Sequence, residues 1–180
     1  MKIAISAGHT PIDPGATSGI NSEYGLTSEI VGRCVNLLSK SGHEIWLIGA
    51  DSNEKQIEKI NSLGVDCGLE LHFNSCSDPG IQGCETLYSG SQPGKSLAEL
   101  IQKRLVSALK TADRGVKIGY FRQDKSQPVI PMLRLTNCPF VIPEPLFLSA
   151  AGDFSKLNTE LVAQALCQGI DDFLKVNSKR

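Results

Sequence analysis

Residues 2–9 read Lys2-Ile3-Ala4-Ile5-Ser6-Ala7-Gly8-His9. A short apolar run that stops at glycine is the pattern of a buried strand, and a histidine stands just past its end. The arrangement recurs at Gly68-Leu69-Glu70-Leu71-His72. A glutamate closes a third run, Pro139-Phe140-Val141-Ile142-Pro143-Glu144. If these strands are parallel neighbours, His9, His72 and Glu144 converge at one edge of the sheet. In open α/β sheets that edge is where ligands bind. The chain has three histidines and two of them stand this way, which points to a metal hydrolase.

Between these strands the periodicity turns helical. Leu26, Ile30, Cys34, Leu37 and Leu38 share one face of a segment running from 23 to about 39, which Gly42 ends. Residues 53–63 form a charged amphipathic helix closed by Gly64. Leu97, Leu100, Ile101, Leu105 and Leu109 fall in register over 96–109, as do Val162, Ala165, Leu166, Ile170 and Phe173 over 159–174. Further strands are expected at 44–48 and 83–89, with short ones at 117–121 and 132–135. The stretches 8–22 and 73–82 are rich in Gly, Pro and Ser and read as loops. Strands alternating with helices predict an α/β fold. The expectation is a single three-layer sandwich, with a mainly parallel twisted sheet of about six strands and helices on both faces. Residues 1–180 read as one domain, with no repeat or linker.

Composition narrows the function. Hydrophobic residues make up 41% and charged residues 21%, and the formal net charge is −1. No basic stripe suggests nucleic acid, and no apolar run reaches transmembrane length. The apolar start is too short for a signal peptide and carries His9, so the chain is expected to be made in the cytoplasm. Of six cysteines, none forms C-x-x-C, which argues against a zinc knuckle or a thioredoxin-type motif. Cys34 and Cys167 fall on apolar helix faces as small hydrophobes. Reduced thiols are the default, with a bridge among Cys67, Cys76 and Cys84 left open. His43 reads as structural, just past a helix C-terminus.

A hydrolytic zinc site takes three protein ligands and leaves a position for water. His9 and His72 therefore need a carboxylate partner. Glu23, at the start of the first helix, is the natural candidate, where the helix dipole also favours a negative charge. Asp13, Glu29 and Glu70 compete with it. Glu70 shares a sheet face with His72 but lies deeper along the strand. H-E-x-x-H is absent and no histidine begins H-x-x-E, which argues against thermolysin-like and carboxypeptidase-A-like enzymes.

The stretches SAGHTPIDPGA, Glu23 opening the first helix, ELHFNS and CPFVIPEPLFLS resemble the zinc-dependent N-acetylmuramoyl-L-alanine amidases. More narrowly, they resemble the type-3 family used by bacteria and phage endolysins. DRGVK at 113–117 and MLRLT at 132–136 continue the likeness along the whole chain. The chain departs from the family pattern at Thr10-Pro11, where glycines are common, and at Pro145-Leu146. The resemblance implies one Zn²⁺ per chain held by His9, Glu23 and His72, with Glu144 as the catalytic carboxylate. It also implies that Asn74 of the H-x-N motif orients the site, and Arg134 is a candidate for substrate carboxylates. The implied substrate is peptidoglycan, cut between muramic acid and L-alanine. No nucleic acid or membrane insertion is expected, and a monomer is. The enzyme would act on the wall after release, as a lysin without an appended wall-binding domain. Two alternatives are a zinc peptidase cutting within the stem peptide and an inactive wall-binding or regulatory module of the same fold.

Overall fold

The computed structural model describes residues 1–121 and 124–177. Its strands are β1 (Lys2–Ala7), β2 (Thr17–Ser18), β3 (Asn21–Ser22), β4 (Glu44–Ile48), β5 (Cys67–Leu71), β6 (Cys84–Tyr88), β7 (Asp113–Ile118) and β8 (Phe140–Glu144). Its helices are α1 (Glu23–Lys40), α2 (Asn53–Leu63), α3 (Gln92–Leu109), α4 (Pro131–Leu135), α5 (Ala151–Phe154) and α6 (Thr159–Asn177). Six strands form one sheet in the order β4-β1-β5-β8-β6-β7, and β2 and β3 make a small separate ribbon.

The register places the candidate residues. β1 and β5 run parallel with Ile5 beside Leu69 and Ala7 beside Leu71, so His9 and His72 emerge at the same edge. β8 runs parallel to β5, with Leu69 beside Val141. The three strands expected to be parallel neighbours are neighbours, in the order β1-β5-β8. The sheet then reverses. β6 is antiparallel to β8 and pairs Glu85 with Glu144, while β7 is parallel to β6. The starts of β6 and β7 therefore lie at the edge where β1, β4, β5 and β8 end.

Alternation along the strands sorts the core into two layers, because successive side chains leave a strand on opposite faces. Ile3, Ile5, Leu69, Leu71 and Val141 pack under α1, α3 and α6, against Ile30, Leu38, Ile101, Leu105, Leu166 and Ile170. Ala4, Ile48, Leu87, Phe140 and Ile142 face α2 and α4, against Ile57, Ile60, Met132 and Leu133. Each fully buried Leu or Ile stabilises the fold by about 1.5–3 kcal/mol relative to exposure, so the two layers hold the sheet from both sides. Ser22 caps α1, its Oγ accepting from the Gly25 amide at 3.1 Å. That cap fixes where Glu23 begins the helix.

Three local expectations need correction. Residues 132–135 are helical, in α4, because Pro131 pre-sets the first helical turn and Met132 and Leu133 turn together into the core. The strand expected at 117–121 is β7, which starts at Asp113 and ends at Ile118. Helix α3 also begins earlier than its leucine stripe, at Gln92, because Ser91 caps it through the Gly94 amide. All six cysteines are free thiols.

Candidate active site

Loop 8–22 and the start of α1 build the first half of the site. His9 takes a left-handed backbone, φ 67°, a conformation that is costly for a residue with a Cβ and is held only where the surroundings impose it. Thr10 and Asp13 close a tight turn behind it through Thr10 N–H to Asp13 O (3.0 Å) and Asp13 N–H to Thr10 Oγ1 (3.0 Å). The Glu23 amide donates to Ala16 O at 2.8 Å, folding the loop back onto the helix start.

Glu23 is buried, and each of its carboxylate oxygens meets one histidine and one backbone amide. Oε1 accepts from the Phe73 amide at 2.8 Å and lies 3.1 Å from His72 Nδ1. Oε2 accepts from the Ala16 amide at 3.1 Å and lies 3.2 Å from His9 Nε2. Burial opposes ionisation of this carboxyl. The hydrogen bonds with His72, His9 and the Phe73 amide overrule it and hold Glu23 far below the usual carboxylate range. Of the candidate carboxylates, Glu23 is the one that stands against both histidines. Glu29 instead binds Arg33 on the surface. Asp13 reaches His9 Nδ1 only at 4.0 Å and is largely exposed.

Glu70 has another place. Its Oε2 lies 3.4 Å from His72 Nε2, on the ring nitrogen opposite Glu23. A carboxylate accepting from one ring nitrogen fixes the tautomer and leaves the other free as a ligand. Burial would lower the His72 pKa, but the bonds to Glu23 and Glu70 raise it from 6.5 to about 10.

The donor set fits a metal ion of zinc's kind. Donor atoms of His9, Glu23 and His72 all lie within 4.8 Å of one another, and tetrahedral zinc spaces its donors about 3.4 Å apart. The space around them is kept by two glycines. A Cβ on Gly8 would run into the His72 ring. One on Gly15, which has φ +71°, would stand 2.6 Å from His9 Cδ2 and 2.7 Å from Glu23 Oε2.

Glu144, at the end of β8, faces the same cleft and is half-buried. Asn74 donates through Nδ2 to Glu144 Oε2 at 2.5 Å and to Glu85 Oε1 at 3.0 Å. Glu85 is fully buried, and Arg114 Nε and Lys117 Nζ reach its Oε2 at 2.5 and 2.6 Å. Burial, and then the Glu85 charge, push the Glu144 carboxyl up to about 8 against the opposing pull of His72. Burial also opposes ionisation of Glu85, but Lys117 and Arg114 hold its carboxyl below the usual range. The proton affinities of these two adjacent carboxyl groups are therefore driven in opposite directions.

A cleft of about 450 Å³ runs over this edge, walled by His9, His72 and Glu144, by Asp51 and Gln56 on the α2 side, and by Phe121 opposite. Arg134 stands exposed on α4 and is not among the residues lining the cleft. Asn74 touches the Glu144 carboxylate rather than a histidine. Glu85, Arg114 and Lys117 escaped the reading of the sequence, because a lone Glu in the run Cys84–Tyr88 looks like an ordinary strand residue. The signal lay in pairing, which the sequence does not display.

The chain matches the N-acetylmuramoyl-L-alanine amidase family, Amidase_3, over residues 3–175. It is 29% identical over 177 residues to the N-acetylmuramoyl-L-alanine amidase LytC of Bacillus subtilis, covering 94% of this chain and 34% of that protein. It is 26% identical over 175 residues to the sporulation-specific N-acetylmuramoyl-L-alanine amidase of the same organism, covering 94% of this chain and 65% of that one. The chain thus spans between a third and two thirds of the length of these relatives. Among solved structures, the CwlD amidase from Clostridioides difficile, in complex with the GerS lipoprotein, superposes with a TM-score of 0.83 at 26% identity. The match covers 97% of this chain and 98% of that one.

Proposed function

The chain belongs to the type-3 N-acetylmuramoyl-L-alanine amidase family, and from that membership we propose that it hydrolyses the amide between N-acetylmuramic acid and L-alanine in peptidoglycan. The observation that carries this reading is the grouping of His9, Glu23 and His72 within 4.8 Å, beside a cleft that His9 and His72 share with the half-buried Glu144, whose pKa is raised. Fold alone would not carry it, since one fold hosts many chemistries.

His9, Glu23 and His72 would hold one Zn²⁺. Bound there, such an ion acidifies water and polarises a carbonyl. The remaining steps fall to side chains. Glu144, which lines the cleft beside His72, takes the proton of the attacking water at its carboxylate. A C–O bond forms at the lactyl carbonyl carbon and the C–N bond to L-alanine breaks. Glu144 then delivers the proton to the departing amine. The products are the lactyl carboxylate of muramic acid and a stem peptide with a free L-alanine amine. Gln56 and Asp51 on one wall offer hydrogen bonds to sugar or peptide, and Phe121 offers an apolar surface on the other.

The test is mass spectrometry of purified peptidoglycan digested with the zinc-loaded protein, with and without chelator. Stem peptides beginning at L-alanine, lost on chelation, are the expected result. Fragments cut within the stem peptide would replace the amidase reading with a peptidase one. Bound wall with no cleavage and no zinc would replace it with an inactive module. Glu144→Ala should keep its zinc and lose at least ~100-fold in rate, as removal of a general acid–base does.

A further inference from the structure

We infer that Glu85 is a positioning residue for Glu144, acting through the side-chain amide of Asn74, an inference that rests on the amidase reading above. The antiparallel register sets Glu85 of β6 directly opposite Glu144 of β8, on the same face of the sheet. Like charges so placed repel and weaken a sheet. Here the pair is organised instead. The Asn74 amide donates to Glu85 Oε1 and to Glu144 Oε2 at once. Its carbonyl Oδ1 accepts from the Ser75 amide at 3.0 Å, which turns the NH₂ group toward the two carboxylates. Asn74 itself is held by its own backbone, since its N–H donates to Leu146 O and its C=O accepts from the Leu148 amide.

Behind Glu85 stand Arg114 and Lys117, and Arg114 also stacks over the Phe147 ring at 4.9 Å. Glu85 is buried while Arg114 and Lys117 keep their side chains partly exposed, so the two cations meet from the outside a charge that would be costly if left unpaired. The geometric effect is specific. Glu85 anchors the amide that fixes Oε2 of Glu144, and the two carboxyl groups also stand within hydrogen-bonding reach of each other. The Glu85 charge also makes Glu144 a stronger proton acceptor. The charged groups that act on Glu144 are Glu85 from β6, His72 just past the end of β5 and Glu23 from α1; Arg114 and Lys117 from β7 act on Glu85 behind it, and Glu70 from β5 lines the same cleft.

Two substitutions of opposite sign test the assignment in the zinc-loaded full chain. Glu85→Gln keeps the volume and an acceptor for Asn74 but removes the charge. It should lower kcat at least ~10-fold with KM and zinc content unchanged, and move the acid limb of the kcat/KM profile to lower pH by about one unit. Lys117→Met leaves the Glu85 charge less compensated and should move that limb upward. A packing role would depress activity at every pH without moving the limb in either variant. Nitrogen-15 NMR of the metal-free protein supplies a readout apart from turnover. The Asn74 side-chain amide protons should exchange slowly in the wild type and faster in E85Q.

Wild-type kcat in E85Q, or limbs unmoved in both variants, overturns the assignment. If E85Q fails to fold, the Lys117→Met limb and its sign decide alone. A wild-type protein that releases no L-alanine-terminated stem peptide overturns the amidase reading first and this inference with it. Full wild-type activity with unmoved variants overturns only the role of Glu85.

Discussion

At the scale of single residues, the site depends on what is missing as much as on what is present. Gly15 has no side chain, and a methyl there would occupy the space between His9 and Glu23 in a backbone conformation that favours glycine. Gly15→Ala should therefore weaken zinc binding at least ~10-fold, the loss expected when ligand support is disturbed, with the circular dichroism of the fold retained. Zinc titration calorimetry measures it, and wild-type affinity would dismiss the cradle. The charges make a second prediction. Without metal, the Glu23–His72 pair contributes stability present above about 4.5, Glu23's ordinary pKa, and lost as pH falls below it. The same pair contributes stability present below 6.5 and lost as His72 deprotonates toward pH 10. Glu144, an acid with its pKa raised to about 8, adds a further loss as pH rises from 4.5 through 8. The metal-free protein should melt highest near pH 4.5, lose stability on either side, and lose it more steeply above pH 6.5, where His72 joins Glu144. Zinc needs neutral imidazoles, so the stabilisation it confers should grow over the same rise. Melting curves at pH 5, 7 and 9, with zinc and with chelator, check both trends, and a metal-free Tm that climbs toward pH 9 would contradict them.

At the scale of elements, strands ending in His9, His72 and Glu144 were legible because a short apolar run followed by a polar residue has few other meanings. The long helices were legible from their 3.6-residue stripes. Helix α4 was not. In five residues a helical stripe and a strand alternation look alike, and only Pro131 marked the difference. Glu23 could be proposed as a ligand from its place at a helix start, but the two backbone amides that hold it come from Ala16 in the preceding loop and from Phe73, 50 residues away in sequence. Glu85 could not be read at all, because its meaning comes from an antiparallel neighbour in β8. The contact between α3 and α6 carries its own prediction. Gly169 of α6 sits where a Cβ would stand 2.7 Å from Ile101 Cα. Alanine is a better helix former than glycine by about 1 kcal/mol, yet overpacking costs roughly 1–3 kcal/mol. Gly169→Ala should thus destabilise the fold in urea unfolding, and a rise in the urea midpoint would show that the helices can part without penalty.

At the scale of the whole molecule, the proposed metal ties together three elements that the chain alone holds more loosely. His9 comes from the loop after β1, Glu23 from α1 and His72 from the end of β5. Zinc should therefore slow amide hydrogen exchange most in 8–22 and 72–74, with little change in α6. Uniform slowing across the chain would instead indicate a general stabilisation with no local fastening. The reversal of the sheet at β6 has a consequence of another kind. Because β6 starts where β5 and β8 end, the connection from His72 to Glu85 never leaves the reactive edge. Segments 8–22, 49–52, 72–83 and 145–150 all meet there, whereas 41–43, 64–66 and 136–139 turn at the opposite edge. The loops at the reactive rim can thus be lengthened or trimmed without breaking a strand pairing, whereas the turns at the opposite rim are three or four residues long and tie each helix closely to the strand that follows it.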